Sequence, residues 1–282
     1  MMNRDELLRL VPPALRARAW RLYTVKGRLV DLWQWGGRAL LGHKPPGLLR
    51  ALKNDGNRGL FVPLPQAAEG RLRKALGSLF PRRAFRLYPD ESALASALAA
   101  AGYAPPAMYA GGIYNVYTSG AGKPPGKAVL WRPFLDGPAA VPAIVPALPF
   151  PFPGAPAVLS LDPAVEGSFP PAPVLSPLAL TAAARCVWDL AAAADRGKPR
   201  FPRLEKIPAE GRRWKRRGIY LEYTGSGGQD KPDDEGGGDY AATFRRFLDG
   251  GFLLPPGPEE PAILPGELSP GEEAKLAELL SD

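Results

Sequence analysis

Residues 137–161 contain no charged side chain over a span long enough to cross a bilayer, yet seven prolines interrupt them: Pro138, Pro142, Pro146, Pro149, Pro151, Pro153 and Pro156. Each proline removes a backbone donor and clashes with the preceding turn, so the segment cannot be helical. A membrane-spanning segment must satisfy its own backbone, and an open extended chain cannot. The stretch is therefore expected to be extended chain, buried or lying along the protein surface. The same punctuation runs through the whole chain, with 35 Pro and 32 Gly among 282 residues, which predicts many connections and short elements. Hydrophobic residues make up 45% and charged residues 23%, the balance of a globular protein with a full core. That length suits one large domain or two interleaved ones. The opening residues 1–10 mix charges of both signs with leucines and carry no apolar run of the signal-peptide type, so the expected location is the cytoplasm.

The single Cys186 and single His43 exclude a disulfide and a four-ligand zinc site within one chain. Cys186 lies in the largely apolar stretch 182–190 and is expected to be a buried, inert thiol.

Along the chain, residues 21–33 read as a hairpin turning at Lys26-Gly27. Helices are expected at 46–54, with Leu48, Leu49 and Leu52 on one face, and at 66–79. A βα unit follows: a strand at 84–88, the capping segment Pro89-Asp90-Glu91-Ser92, and an Ala/Leu helix at 93–101. Strand-like runs occupy 107–117, 128–131 and 157–161, and a helix covers 178–194. The basic segment 212–217 leads into a strand at 218–223, followed by a Gly/Asp-rich loop at 224–239, a helix at 240–248, a strand at 251–254 and a last helix at 270–280. This alternation predicts an α/β fold.

Several of these segments, in this order, resemble the class III aminotransferases, fold-type-I pyridoxal-phosphate enzymes, and within them glutamate semialdehyde aminotransferase. Gly27-Arg28-Leu29-Val30-Asp31-Leu32 resembles the family's "dG-k-yiDl" hairpin, and Leu41-Gly42-His43 with Pro46 resembles its "lGH-hP". Residues 64–79 are similar to its "t-aE--LAe-L---vP" helix, 84–101 to "vrFvnSGsEAneaAlklAr", Ser176-Pro177-Leu178-Ala179 to "gNPLa", and 247–273 to its C-terminal segment. The chain is shorter than that family's members, and the deficit falls between Tyr103 and Pro142. The resemblance implies a reduced large domain of α/β/α type at 48–195 and a small α+β domain built from both chain ends, 1–47 and 196–282. It also implies assembly as a dimer, with itself or with a related aminotransferase.

Pyridoxal chemistry needs a Lys for the aldimine, an acid against the pyridine nitrogen and donors around the phosphate. Matched residue by residue, Pro146 stands at the family's Lys, and no Lys occurs between Lys127 and Lys198. Arg132 stands at its Asp, where a cation opposes a protonated pyridinium. Pro89, Asp90 and Glu91 replace the small donors of its phosphate loop, and Ala172 replaces its phosphate-binding Thr. The resemblance thus implies an aminotransferase-like protein that has lost pyridoxal-phosphate catalysis, with no catalytic, cofactor-binding or metal-binding residue and no cofactor. Its role would be structural, regulatory or ligand-binding, and the displaced positions could line a new pocket. Two other readings stay open. One is an active aminotransferase or aminomutase with a displaced Lys, for which Lys123 or Lys127 would have to swing in. The other is nucleic-acid binding by Arg212-Arg213-Trp214-Lys215-Arg216-Arg217, whose cations and single indole suit phosphate contact and base stacking. Against that, an acidic run at 230–239 lies nearby, and cations beside a strand commonly protect an edge. His43 is expected to be structural, and Trp33 and Trp35 to pack in the core or at a dimer contact.

Overall fold

A computed structural model describes residues 3–104, 128–135, 141–197, 199–206, 213–225 and 236–281. In chain order the elements are α1 (Arg4–Arg9), β1 (Ala14–Arg18), β2 (Arg21–Thr24), β3 (Gly27–Asp31), α2 (Leu48–Gly56) and α3 (Ala67–Leu79). Next come β4 (Ala84–Tyr88), α4 (Glu91–Ala100), β5 (Val129–Trp131), β6 (Ala143–Pro146), β7 (Ala157–Leu161) and α5 (Pro177–Asp195). The chain finishes with β8 (Trp214–Arg217), β9 (Tyr220–Tyr223), α6 (Gly236–Asp249), β10 (Phe252–Leu253), β11 (Ala262–Ile263) and α7 (Pro270–Ser281). The fold is α/β, as the alternation predicted.

The chain divides into two compact units, one made of both chain ends, Met1–His43 and Lys198–Asp282, and one within residues 44–197. In the first unit, β1, β2, β3 and β10 form a sheet in that order, antiparallel except for the parallel β3–β10 pair. The late strands knit onto the early hairpin: Leu32 N donates to Leu253 O at 2.9 Å, and Ile263 N donates to Leu32 O at 2.7 Å. A second sheet, β11-β9-β8, is antiparallel. Arg21 grips Glu272 of α7 with two hydrogen bonds, from Nε at 3.0 Å and from Nη2 at 2.7 Å.

The second unit is built on the mixed sheet β4-β7-β6-β5. Alternation along the strands sends Tyr88, Ala143, Val145, Leu159 and Leu161 to one face, where Leu94, Ala97 and Leu98 of α4 cover them. On the other face Phe80, which caps α3, sets its ring edge-on to Trp131 at 4.9 Å and against Phe85 at 6.5 Å. Helix α5 packs on α2 and α3. Asp55 of α2 is 2% exposed, accepts a hydrogen bond from Thr181 of α5, and pairs with Arg58 at 3.4 Å and Arg71 at 3.8 Å.

Four expectations are corrected. The hairpin turns at Val25-Lys26, because Thr24 pairs with Gly27 and its hydroxyl both accepts from Lys26 N at 3.2 Å and donates to Gly27 O at 2.9 Å. Helix α2 begins at Leu48 rather than in its proline lead-in, and Leu49 is 43% exposed, so the buried face is Leu48 and Asp55. The basic segment leads into the expected strand, β9, but residues Trp214–Arg217 within it form a strand of their own, β8, which pairs with β9 through the two-residue turn Gly218-Ile219, while Arg212 lies outside the described residues. Helix α6 starts at Gly236, inside the stretch expected to be loop. The expected strand at 107–117 and residues 226–235 of the Gly/Asp-rich loop lie outside the described residues.

Candidate functional site

Strands β4 and β6 both run antiparallel to β7, and β5 runs parallel to β6, so β4, β6 and β5 share one direction. Their carboxyl ends fall on a single edge of the sheet. This is the edge at which open α/β sheets accept ligands. The topology brings four of the matched positions to it: Pro89 and Asp90 after β4, Pro146 at the end of β6, and Arg132 directly after β5, with Trp131 and Pro146 in register. At a strand spacing of about 4.8 Å, β4 and β6 stand about 10 Å apart across β7, and β5 follows next to β6.

Each position has a local cause. Asp90 is extended (φ −158°, ψ 179°) and caps α4, its Oδ1 accepting from Ala93 N at 2.8 Å. That is ordinary N-cap chemistry, with Glu91 adding a second carboxylate to the first turn. Arg132 is 3% exposed, and the turn that follows it holds Phe134 at φ +62°, a left-handed conformation rare for an aromatic residue. Pro146 is buried, and Ala147 N beyond it donates to Trp131 O at 2.8 Å, extending the β5–β6 ladder past the strand end. Ala172 lies half-buried on the segment that leads into α5. Lys123 and Lys127 lie outside the described residues.

These residues can be tested against pyridoxal phosphate on their chemistry. The N–H groups at the head of α4 are what a phosphate would use, but one of them is already taken by Asp90, and two carboxylates at that turn repel a dianion. Pro146 has no amine. Arg132 offers a cation where a pyridinium needs an acid. The described residues at this edge do not fit the group.

The remaining candidates belong to the unit of the chain ends. Asp31, 2% exposed, organises the turn after β3: its Oδ1 accepts from Trp33 N at 2.9 Å and Gln34 N at 2.8 Å, and its Oδ2 lies 2.9 Å from Nε2 of His43. Four successive residues then adopt positive φ, namely Gln34 (50°), Trp35 (50°), Gly36 (66°) and Gly37 (97°). Such strain persists only where the surroundings fix it. Here Gln34 Nε2 donates to Ile263 O at 2.9 Å, Trp20 Nε1 to Leu40 O at 2.9 Å, and Trp33 Nε1 to the buried Glu260 at 2.8 Å. Arg4 also bonds Glu260 and stands over the Trp33 ring at 5.5 Å. Trp33 is therefore held within the unit, whereas Trp35 is 42% exposed with the Arg38 guanidinium 4.7 Å from its ring centre. The sequence signals Asp31 and His43 through the hairpin and the Gly-His pair, but nothing local announces Glu260, whose partners are more than 200 residues away.

Trp214 is 5% exposed and packs against Tyr223 at 5.2 Å and Phe247 at 5.6 Å, so its indole is core and offers no face to a base. Cys186 is fully buried, and burial, with Asp189 adding to it, pushes its thiol up to about 12. Among the described residues no group of three or more His, Cys, Asp or Glu is placed to hold a metal ion, and no helix is long and apolar enough to cross a membrane.

The architecture is that of the fold-type-I aminotransferases. The chain superposes on an omega-transaminase from Sphaerobacter thermophilus with a TM-score of 0.63 and 13% identity, covering 96% of this chain and 90% of that one. It is similar in the same way to ornithine delta-aminotransferase from Plasmodium falciparum (TM-score 0.63, 10% identity, 99% and 98% covered) and to N-acetylornithine aminotransferase from Stenotrophomonas maltophilia K279a (TM-score 0.60, 16% identity, 97% and 95% covered). No family model matches the sequence. Among curated proteins, an uncharacterized protein of Treponema pallidum (strain Nichols) is 37% identical over 84 residues, 29% of this chain, which thereby spans about a quarter (27%) of that protein's length.

Proposed function

We propose that this chain is an aminotransferase-like protein that no longer carries out pyridoxal-phosphate catalysis, and that its retained frame serves a structural, regulatory or ligand-binding role. The observation that supports this reading is the convergence of Asp90, Arg132 and Pro146 on the carboxyl edge of one sheet. Open α/β sheets take their ligands at that edge. The three residues there oppose a phosphate, a pyridinium and an aldimine in turn, so three separate requirements of the chemistry fail together. One altered position could be compensated by a neighbour, but two reversed charges together with a missing amine could not.

The test is incubation of the purified protein with pyridoxal phosphate, followed by borohydride reduction and peptide mass mapping. The expected result is no internal-aldimine absorbance band and no stoichiometric label on any one lysine. Stoichiometric labelling of one lysine with a matching absorbance band would overturn the reading, and labelling at Lys123 or Lys127 would point to an active enzyme with a displaced Lys. Because the Trp214 indole is core, no salt-dependent shift of a short single strand or duplex is expected.

A further inference from the structure

The two most exposed large apolar side chains among the described residues, Leu15 at 71% and Val25 at 63%, stand at the same end of the β1-β2-β3 meander. Ala14 pairs with Thr24 and Arg16 with Tyr23, so Leu15 is the extra residue of a bulge, left without a cross-strand partner beside the turn that holds Val25. A bulge re-aims its side chain, and this one turns a leucine into solvent. Valine is equally out of place in the turn Val25-Lys26, since two-residue turns favour Gly, Asn and Asp. Two local rules are broken side by side, and both apolar side chains stay open. The charge around them has one sign. Residues 7–30 hold six cations, Arg9, Arg16, Arg18, Arg21, Lys26 and Arg28, and no carboxylate. Glu267 and Glu272 pair with Arg21, and Glu272 also reaches Arg28. Arg16, Arg18 and Lys26 are exposed and have no carboxylate partner among the described residues; the Arg16 guanidinium instead lies 4.3 Å from the centre of the Tyr23 ring.

We propose that this end of the meander is a peripheral contact with an anionic lipid surface, Leu15 and Val25 entering the boundary between headgroups and acyl chains while Arg16 and Lys26, each next in sequence, meet the lipid phosphates. Such binding combines buried apolar area with attraction to anionic lipid, and both halves are present here on adjacent residues. The backbone suits a region poor in water: the Thr24 hydroxyl accepts from Lys26 N and donates to Gly27 O, so these two groups of the turn are met from within. The base is firm as well, because Leu29 and Val30 of β3 are buried and Arg21 of β2 is fixed to Glu272. Charge and size select the occupant. A second copy would bring the same cations against these. A protein partner ordinarily covers about 800 Å² on each side, and two protruding side chains at a turn offer far less than that, whereas a bilayer accepts a small apolar tip provided that cations surround it.

This inference does not depend on whether the chain has lost pyridoxal catalysis, and its test reads sedimentation, not activity. The full chain is mixed at low salt with sucrose-loaded vesicles of phosphatidylcholine, either alone or with about 30% phosphatidylserine to supply a negative surface potential. Co-sedimentation is expected with the anionic vesicles only, weakening as salt is raised. Leu15→Ser with Val25→Ser and, separately, Arg16→Ser with Lys26→Ser alter exposed positions and should leave the circular dichroism spectrum unchanged. Each pair is expected to lower the partition coefficient by about tenfold or more. Lys53→Ser with Lys74→Ser removes two exposed cations from the other unit and is expected to bind like the wild type. Failure of the wild type to sediment with the anionic vesicles overturns the proposal, as does equal sedimentation with the neutral ones. So does an equal loss in the Lys53 and Lys74 variant, which would reduce the effect to net charge, or unchanged binding by the folded Leu15 and Val25 variant. Soluble polyglutamate that binds more tightly than the anionic vesicles, and is lost in the Arg16 and Lys26 variant, also overturns it, in favour of an acidic protein segment.

Discussion

Nε2 of His43 lies 2.9 Å from Oδ2 of Asp31, and that contact closes the loop whose other end the same carboxylate already holds through Trp33 N and Gln34 N. Asp31 is itself the last residue of β3, and His43 N donates to Ala19 O at 2.8 Å, so the loop is pinned at both ends to the hairpin. The left-handed run from Gln34 to Gly37 is stable because of this clamp. Removing the carboxylate would orphan two N–H groups, that of Gln34 buried and that of Trp33 partly buried, and release the imidazole. Asp31→Ala is expected to lower unfolding free energy by about 2–4 kcal/mol in urea titration, the cost of leaving buried donors unmet. Asp31→Asn keeps an acceptor for both N–H groups and should cost clearly less. Equal losses in the two variants would show that the clamp does not work through those hydrogen bonds.

Glu272 and Arg21 set the acid limit of the unit formed by the chain ends. Burial alone would raise the Glu272 carboxyl, but hydrogen bonds from Arg21 and from Ser269 N, with the nearby guanidinium charge, bring it down to about 2. The same contacts raise Arg21. A carboxyl with a depressed folded value contributes stability that is fully present above its ordinary value of 4.5 and is lost as the pH falls from there toward 2. Stability should therefore fall across that window in the wild type. Glu272→Gln should be less stable at pH 7 and show a shallower acid limb, which melting temperatures between pH 2 and 7 would reveal.

Cys186 should be silent to thiol reagents in the native protein. Its side chain is fully buried in α5, and its thiol, pushed up to about 12, carries almost no thiolate at neutral pH. An aromatic disulfide reagent at pH 8 is expected to titrate no thiol before unfolding and one per chain in denaturant. Rapid native labelling would mean that α5 opens locally.

Where the sequence is punctuated strongly, the fold can be read from it. Strands β4 and β7 occupy the expected residues 84–88 and 157–161, because β-prone runs there are bounded by Pro, Gly and Asp, and α5 is bounded by Pro177 and Gly197. Strand β6 was hidden inside the proline-rich stretch: nothing local distinguishes Ala143–Pro146 from its neighbours, and it becomes a strand only by pairing with β5 and β7. Strand β8 was hidden by its charges, since Trp214 alone faces the core while the Lys and Arg side chains stay partly exposed. The candidate edge was legible residue by residue, as Asp90, Arg132 and Pro146. Their convergence was not, because it follows from strand directions that no local pattern encodes. The clamp on Trp33 by Glu260 and Arg4 was invisible for the same reason, as it joins the two ends of the chain.

Replacing Pro146 by Lys offers the most direct separation of one defect from the rest. Pro146 is the last residue of β6, opposite Trp131 of β5, so an amine added there would start from the edge where the matched position requires it. A lysine at a strand end can adopt the local backbone, and the substitution adds an N–H without removing any existing hydrogen bond. The variant should therefore fold. It should still not retain pyridoxal phosphate, because the head of α4 remains capped by Asp90 beside Glu91, and Arg132 remains the cation after β5. Those charges oppose the phosphate and the protonated ring whatever amine is nearby. Dialysis after exposure to pyridoxal phosphate, followed by an absorbance spectrum and an assay with an amino donor, is expected to show neither bound cofactor nor transamination. Measurable turnover by Pro146→Lys alone would mean that Asp90 and Arg132 do not occupy the cofactor's positions, and the proposed loss of catalysis would then rest on one residue only.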